Sequence, residues 1–285
     1  MFFLIDKPLG MTSFDVIRKL RKALQIKKMW HTGTLDPLAS GLLLVATGNS
    51  TKLIPLLESA RKEYITTIHL DGKSDSYDMG TPIMPISGKK KEKTAREIED
   101  FLLALTSQTP PKYSALHIDG QRAYDLARKW EDFHIEPRAI TIYAAKVLSQ
   151  SDSSIEIQLT VSSGCYIRSL APVLGGFCDV EWWYLSALRR TKIETEYGAL
   201  DLSMMSDIEN PVEIPYSKLF HTFPTIEIND SIYKDLLEWR EIPLDNLPSA
   251  HLHEWEKLFL SYEEMGFLSL WEIQNGKYRI TRNNV

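Results

Sequence analysis

The chain has 285 residues, 44% of them hydrophobic and 25% charged. At about 150 residues per domain this suggests a globular protein of one large domain plus a small one. Two cysteines, Cys165 and Cys178, exclude a disulfide framework or a four-ligand zinc site, and no apolar run approaches the roughly 20 residues that cross a bilayer.

The net charge of −5 is unevenly spread. Residues 1–70 hold 10 Lys/Arg against 5 Asp/Glu, residues 71–205 hold 16 against 19, and residues 206–285 hold 7 against 14. A basic N-terminal part keeps a polyanion partner open, because local potential steers association more than total charge does. The competing reading is a helix whose Arg18, Lys19, Arg21, Lys22, Lys27 and Lys28 simply face water. The opening apolar run Met1 to Ile5 meets Asp6 and Lys7 at once, too short for a signal-peptide core, so the chain reads as soluble and cytosolic.

Residues 2–5 form an apolar strand, closed by Asp6-Lys7-Pro8-Leu9-Gly10. Thr12 or Ser13 caps a helix over about 14–25, with Val16, Ile17, Leu20 and Leu24 on one face. A glycine-punctuated loop over 30–37 leads into a buried strand at 41–46, and a short helix runs from Ser50 to about Ala60. Residues 64–70 are β-branched and read as a strand, and 71–93 as loop. A helix over about 94–105 ends at Thr109-Pro110-Pro111. Residues 112–140 mix a short strand, a turn at Gly120 and a helix near 121–130. Alternation predicts strands at 140–148 and 155–161, and helices follow at 166–175 and 181–188. Beyond about 205 the segments shorten, and Asn275-Gly276 between two apolar runs marks a hairpin of 267–273 with 277–281.

Asp36 sits in the 30–37 loop before Pro37, which biases it towards an extended backbone. A carboxylate held this way at the mouth of a sheet suits a nucleophile or an acid/base, although Asp-Pro is also ordinary turn chemistry. His31, five residues earlier, reads more readily as a hydrogen-bonded loop residue than as a catalyst. No phosphate-binding Gly-x-x-x-x-Gly-Lys pattern, nucleophile-elbow serine or metal-ligand spacing occurs, and His251-x-His253 reads as an exposed pair.

The segment Trp30-His31-Thr32-Gly33-Thr34-Leu35-Asp36-Pro37-Leu38-Ala39-Ser40-Gly41-Leu42-Leu43 resembles the active-site motif of bacterial tRNA pseudouridine synthases of the TruB type. Asp6 to Ser13 resembles that family's N-terminal motif, and Lys62-Glu63-Tyr64 with Ser74-Asp75-Ser76-Tyr77-Asp78 its second catalytic strand and adjoining loop. Thr109 to Leu116 with Gly120 to Tyr124 is similar to its stem-loop clamp. Gly164 to Leu170 and Tyr184 to Arg190 match its last two motifs, so the resemblance spans about residues 2–200.

The resemblance implies an α+β pseudouridine synthase fold: a mixed, mostly antiparallel sheet, flanking helices and a central cleft. It implies a catalytic domain over 1–205 with an RNA-clamping insertion at about 109–140, and a small β-rich, PUA-like RNA-binding domain over 206–285. The implied reaction converts uridine 55 of the tRNA T-loop into pseudouridine. Asp36 matches the catalytic nucleophile, Tyr64 the tyrosine that stacks on the flipped uracil, and Arg168 the arginine paired with the carboxylate. Tyr166 and Leu188 match uracil-pocket residues, and His31 an RNA contact near the vacated position. No cofactor, no metal, no membrane and no obligatory protein partner are implied, and a cytoplasmic monomer is expected. The rival readings are a tRNA-folding protein without chemistry, a carboxylate hydrolase and a related synthase acting on another RNA. Trp30 departs from the family's usual small residue; the indole either packs under the loop or offers RNA a stacking surface, and packing is the favoured expectation.

Overall fold

The computed structural model describes residues 1–86, 91–118, 120–129, 133–179, 183–222, 225–238, 257–261, 267–274 and 277–283. Nine strands build the main sheet: β1 (Phe2–Lys7), β2 (Met29–His31), β3 (Ala39–Thr47), β4 (Arg61–His69), β5 (Ile142–Gln150), β6 (Ser154–Val161), β7 (Tyr184–Thr195), β8 (Gly198–Asp201) and β9 (Glu213–Ile214). Their order is β5-β6-β4-β7-β3-β1-β9, with β8 paired to β7 and β2 to β3. The β7–β3 pair is parallel, Leu188 opposite Ala39 and Arg190 opposite Gly41, whereas the other pairs of this sheet are antiparallel.

The two halves of this sheet are patterned differently because they are covered differently. In β1, Phe2 and Leu4 enter one apolar cluster while Phe3 and Ile5 enter another. Leu42 and Leu44 of β3 divide from Leu43 and Val45 in the same way. A strand covered on both faces has no use for alternation, hence the unbroken runs in sequence. In β4, buried Tyr64, Thr66 and Ile68 alternate with partly exposed neighbours. The buried face here packs with Ile98 and Leu102 of helix Ala95–Leu103 and with Leu170 and Leu174 of helix Leu170–Phe177.

Local signals set the helix starts. Thr12 accepts a hydrogen bond from Asp15 N at 3.0 Å while the Asp15 carboxylate accepts from Thr12 N at 2.9 Å, a reciprocal cap of Ser13–Leu24. Such caps contribute about 1 kcal/mol each. Thr94 and Glu97 repeat the device at Ala95–Leu103. Val16, Ile17 and Leu20 then bury one face of the first helix against β1 and β3, leaving Arg18, Lys19 and Lys22 exposed.

Three expectations change. Of the segment expected to be helical at 181–188, residues 181–182 lie outside the described residues and Tyr184 to Leu188 belong instead to β7, which pairs with β4, β3 and β8. A short apolar run fits either period, and here the two neighbouring strands supply the hydrogen bonds that a helix would have made internally. The helix expected from Ser50 to Ala60 is a 3₁₀ turn, Gly48–Leu53, followed by one α turn, Ile54–Leu57. Trp30 does not pack under its loop but stays 50% exposed on β2.

Beyond residue 205 the chain first returns to the main sheet, where Ile214 pairs with Phe2 and Ser206 bridges Ile5. A separate four-stranded sheet follows, in the order Thr225–Glu227, Lys257–Ser261, Phe267–Gln274, Lys277–Asn283. The hairpin expected around Asn275-Gly276 forms with Gln274 opposite Lys277, and the turn itself lies outside the described residues. So do His251 and His253. No helix among the described residues is long and apolar enough to cross a membrane.

Candidate active site

Asp36 closes the loop that leads into β3, and a set of hydrogen bonds holds that loop. The Ser13 hydroxyl accepts from Leu35 N at 2.9 Å and donates to Leu35 O at 3.1 Å. Gly10 N donates to Pro37 O at 2.8 Å, and Ala39 N to Asp36 O at 3.0 Å. Arg190, fully buried on β7, donates from Nε to Leu42 O at 2.6 Å and from Nη2 to Gly33 O at 3.1 Å. The approach of β3 to β7 depends on Gly41, whose φ is +97°. A Cβ there would lie 2.2 Å from Arg190 O, a backbone atom with nowhere to go. Glycine is therefore the residue this crossing requires.

Arg168 sits in a 3₁₀ turn, Ile167–Ser169, and is 5% exposed. Its Nε donates to Asp36 Oδ2 at 2.8 Å. Nη1 donates to Ser76 O at 3.1 Å and Nη2 to Tyr113 O at 3.0 Å, so one planar fork joins three separate segments. Asp78 stands 3.6 Å from Nη1, and its other oxygen accepts from the Ser76 hydroxyl at 2.6 Å and from Gly80 N at 2.8 Å. Arg168 is thus held between a buried carboxylate and a partly exposed one, with side-chain exposures of 10% for Asp78 and 32% for Asp36. The exposed carboxylate is the one free to meet a ligand.

Asp36 and Arg168 share a small cleft with Leu38, Ala39, Asp78 and the β7 segment Leu185 to Leu188. Tyr64, 8% exposed, does not line the cleft but belongs to the apolar cluster that holds Leu35, Ala39, Ile167 and Leu188. Tyr166 caps the Arg168 turn, and the Gln108 side chain grips it by accepting from Tyr166 N at 2.5 Å and donating to Tyr166 O at 3.2 Å. Burial, then the negative charge of Asp36, pushes the Tyr166 phenol above its ordinary value, so it stays protonated and able to donate.

Of the expected site residues, Asp36, Arg168 and Leu188 meet in one cleft; Tyr64 and Tyr166 do not line it, Tyr64 sharing the apolar cluster of Leu188 and Tyr166 lying close enough to Asp36 to feel its charge. His31 stands further out on β2, its ring stacked on Trp30 at 5.4 Å and 12°. Burial and the nearby Arg190 charge lower its pKa to about 4, so the imidazole is neutral at physiological pH. Asp78 and Arg190 fall inside the motifs without a role that the resemblance assigns, and the Tyr113 carbonyl carries no signal in the sequence. Two acidic residues in Ser74-Asp75-Ser76-Tyr77-Asp78 hinted that this loop needs a cation, yet nothing in sequence says which one. Among the described residues no group of three or more His, Cys, Asp or Glu could hold a metal ion.

Comparison with known proteins agrees with this geometry. Residues 21–167 match the model of the TruB family pseudouridylate synthase N-terminal domain. The tRNA pseudouridine synthase B of Aquifex aeolicus is 32% identical over 280 residues, covering 96% of this chain and 95% of that protein. The protein of the same name from Fusobacterium nucleatum is 44% identical over 180 residues, 60% of each chain. The archaeal box H/ACA sRNP Nop10-Cbf5 complex contains a chain of like fold, with a TM-score of 0.63 at 17% identity, covering 100% of this chain and 86% of that one. With a family model over half the chain and a relative matched nearly end to end, this chain belongs to the TruB family of pseudouridylate synthases, and its mixed sheet with flanking helices is the pseudouridine synthase fold.

Proposed function

We propose that this chain is a tRNA pseudouridine synthase that isomerises uridine 55 of the T-loop, with Asp36 as the nucleophile. The observation that carries the reading is the Asp36–Arg168 pair at 2.8 Å: a carboxylate oriented by a buried guanidinium, yet open to a cleft. The relatives named tRNA pseudouridine synthase B support tRNA as the substrate.

The net reaction breaks the bond from N1 of uracil to the ribose and forms one from C5 to the same carbon. The proton on C5 is released and N1 ends protonated, so atoms balance without cofactor or metal. A stacked uridine is out of reach, so it is flipped into the cleft at a cost of a few kcal/mol. Stacking on Tyr64 offsets part of that cost, and Leu188 shapes the wall. Asp36 supplies covalent catalysis, while Arg168 holds it in place. The protonated Tyr166 phenol donates to the base or its backbone, and His31 contacts RNA outside the cleft.

In this reading residues 1–205 form the catalytic domain, with 109–140 clamping the T-arm through the Tyr113–Arg168 link; the boundary expected at 205 moves on, because Ser206 and β9 rejoin the main sheet, and the separate sheet that begins at Thr225 forms the PUA-like module. The enzyme works as a cytoplasmic monomer. The test is Asp36→Asn on unmodified tRNA, with pseudouridine mapped by carbodiimide-blocked primer extension. Wild type should modify position 55 alone in the T-loop, and Asp36→Asn should bind tRNA normally without turnover. Substantial turnover in Asp36→Asn would remove the nucleophile assignment, and tRNA binding by a wild type that makes no pseudouridine would favour a folding role.

A further inference from the structure

The exposed indole of Trp30 stacks on His31, the residue to which the reading above gives an RNA contact. Trp30 lies on β2, which pairs with β3 alone, and its main chain sits opposite Ala46. Strand neighbour Met29 is buried, whereas Trp30 is 50% exposed. Leaving so much of a large aromatic surface in water forfeits burial worth about 25 cal/mol per Å². One reason to tolerate that is a partner with a flat apolar face.

Three features indicate what the partner is. The indole is already stacked on His31, so its ring plane is set before anything binds. The chain leading to it is cationic: Lys27 and Lys28, three and two residues before it, are exposed. Arg21 donates to Met29 O at 3.1 Å while its guanidinium lies over Phe14 at 5.7 Å, and Phe14 is itself 50% exposed. Flat rings interleaved with positive charge are the chemistry that holds single-stranded nucleic acid, the rings taking bases and the cations taking phosphates. Trp30 is half exposed and does not line the Asp36 cleft, whereas buried Tyr64 shares the apolar cluster of the cleft residue Leu188, so the base Trp30 takes is not the one that reacts.

We propose that Trp30, backed by His31, is a stacking platform for an unreacting base of the RNA substrate. The neutral state of His31 suits this, since no charged ring has to be desolvated when the stack extends. The proposal rests on RNA being the substrate and adds a positioning residue outside the cleft.

The test uses the full-length protein and a T-arm stem-loop RNA. Trp30→Ala should raise Kd by roughly 5- to 150-fold, the loss of one base–aromatic stack. Trp30→Phe should recover most of the affinity, and the single-turnover rate at saturating RNA should stay within about twofold of wild type. Abasic substitution through the loop should reveal one position at which Trp30→Ala costs nothing further. An unchanged Kd in Trp30→Ala overturns the proposal. So does a lower saturating rate at unchanged Kd, which would make Trp30 a support of the catalytic loop. If Trp30→Ala melts early, Trp30→Leu replaces it, keeping apolar bulk without a π face. Wild-type affinity in Trp30→Leu then refutes stacking. Absence of pseudouridine formation by wild type on the same RNA would overturn the enzyme reading, whereas the Kd comparison addresses Trp30 alone.

Discussion

Replacing Arg168 by methionine keeps much of the side-chain volume and removes the fork that joins three segments. The carbonyls of Ser76 and Tyr113 lose donors at 3.1 and 3.0 Å. Leaving a buried polar group unpaired costs about 1–3 kcal/mol each. Asp36 loses its partner too, but at 32% exposure it rehydrates, so that pair counts for about 1 kcal/mol or less. The Asp78 carboxylate keeps the Ser76 hydroxyl and Gly80 N. The sum is roughly 2–7 kcal/mol, and at ~2–4 °C per kcal/mol the melting temperature should fall on the order of 10 °C. Turnover should fall further than the melting shift accounts for, because Asp36 loses orientation, and the loss should lie in kcat more than in KM. Arg168→Lys should recover part of the stability and little of the rate, since one ammonium cannot serve three diverging acceptors. Thermal denaturation and single-turnover kinetics on a T-arm hairpin read both effects. A melting point within about 2 °C of wild type, or an unchanged rate in Arg168→Met, would refute the anchoring role.

Tyr64→Phe should preserve RNA affinity and lower turnover, because the ring face remains and the hydroxyl goes; equal single-turnover rates would take the hydroxyl out of the mechanism. Gly41→Ala should cost roughly 3–5 kcal/mol, as overpacking against Arg190 O adds to a φ of +97°, whereas Gly176→Ala, on an exposed helix position with nothing within 4 Å of the new Cβ, should stabilise by up to about 1 kcal/mol. Differential scanning calorimetry of the two variants tests the contrast. His31 titrates near 4 in the folded protein and near 6.5 when unfolded, so between those values the unfolded chain binds more protons. Stability should therefore fall as pH drops from about 6.5 towards about 4, and His31→Gln should flatten that part of the pH–stability curve measured by urea denaturation.

Much of the local structure was legible because it follows from neighbours in sequence. The Thr12 and Thr94 caps, the amphipathic face of Ser13–Leu24, the alternation of Ser154–Val161 and the unbroken apolar runs of β1 and β3 each reflect contacts along one segment or coverage of one strand. Tyr184–Thr195 was not legible as a strand over its first residues, since its hydrogen-bond partners lie on β4 and β3, more than a hundred residues away. Trp30 was misplaced for a related reason: a sequence shows an indole, but exposure depends on what the sheet edge leaves uncovered.

The site divides along the same line. Sequence motifs marked Asp36, Tyr64, Tyr166, Arg168 and Leu188 through a family resemblance that spacing alone could not supply, since an Asp before a Pro is most often a turn. Only the tertiary structure showed that Arg168 also carries Asp78, Ser76 and Tyr113, and that Arg190 holds the Asp36 loop at Gly33. Residue type and short-range order can be encoded locally, because they depend on propensity, capping and periodicity. Which carbonyl a buried guanidinium reaches depends on loops meeting across the β3–β7 junction, and that geometry exists only once the sheet has closed around Gly41.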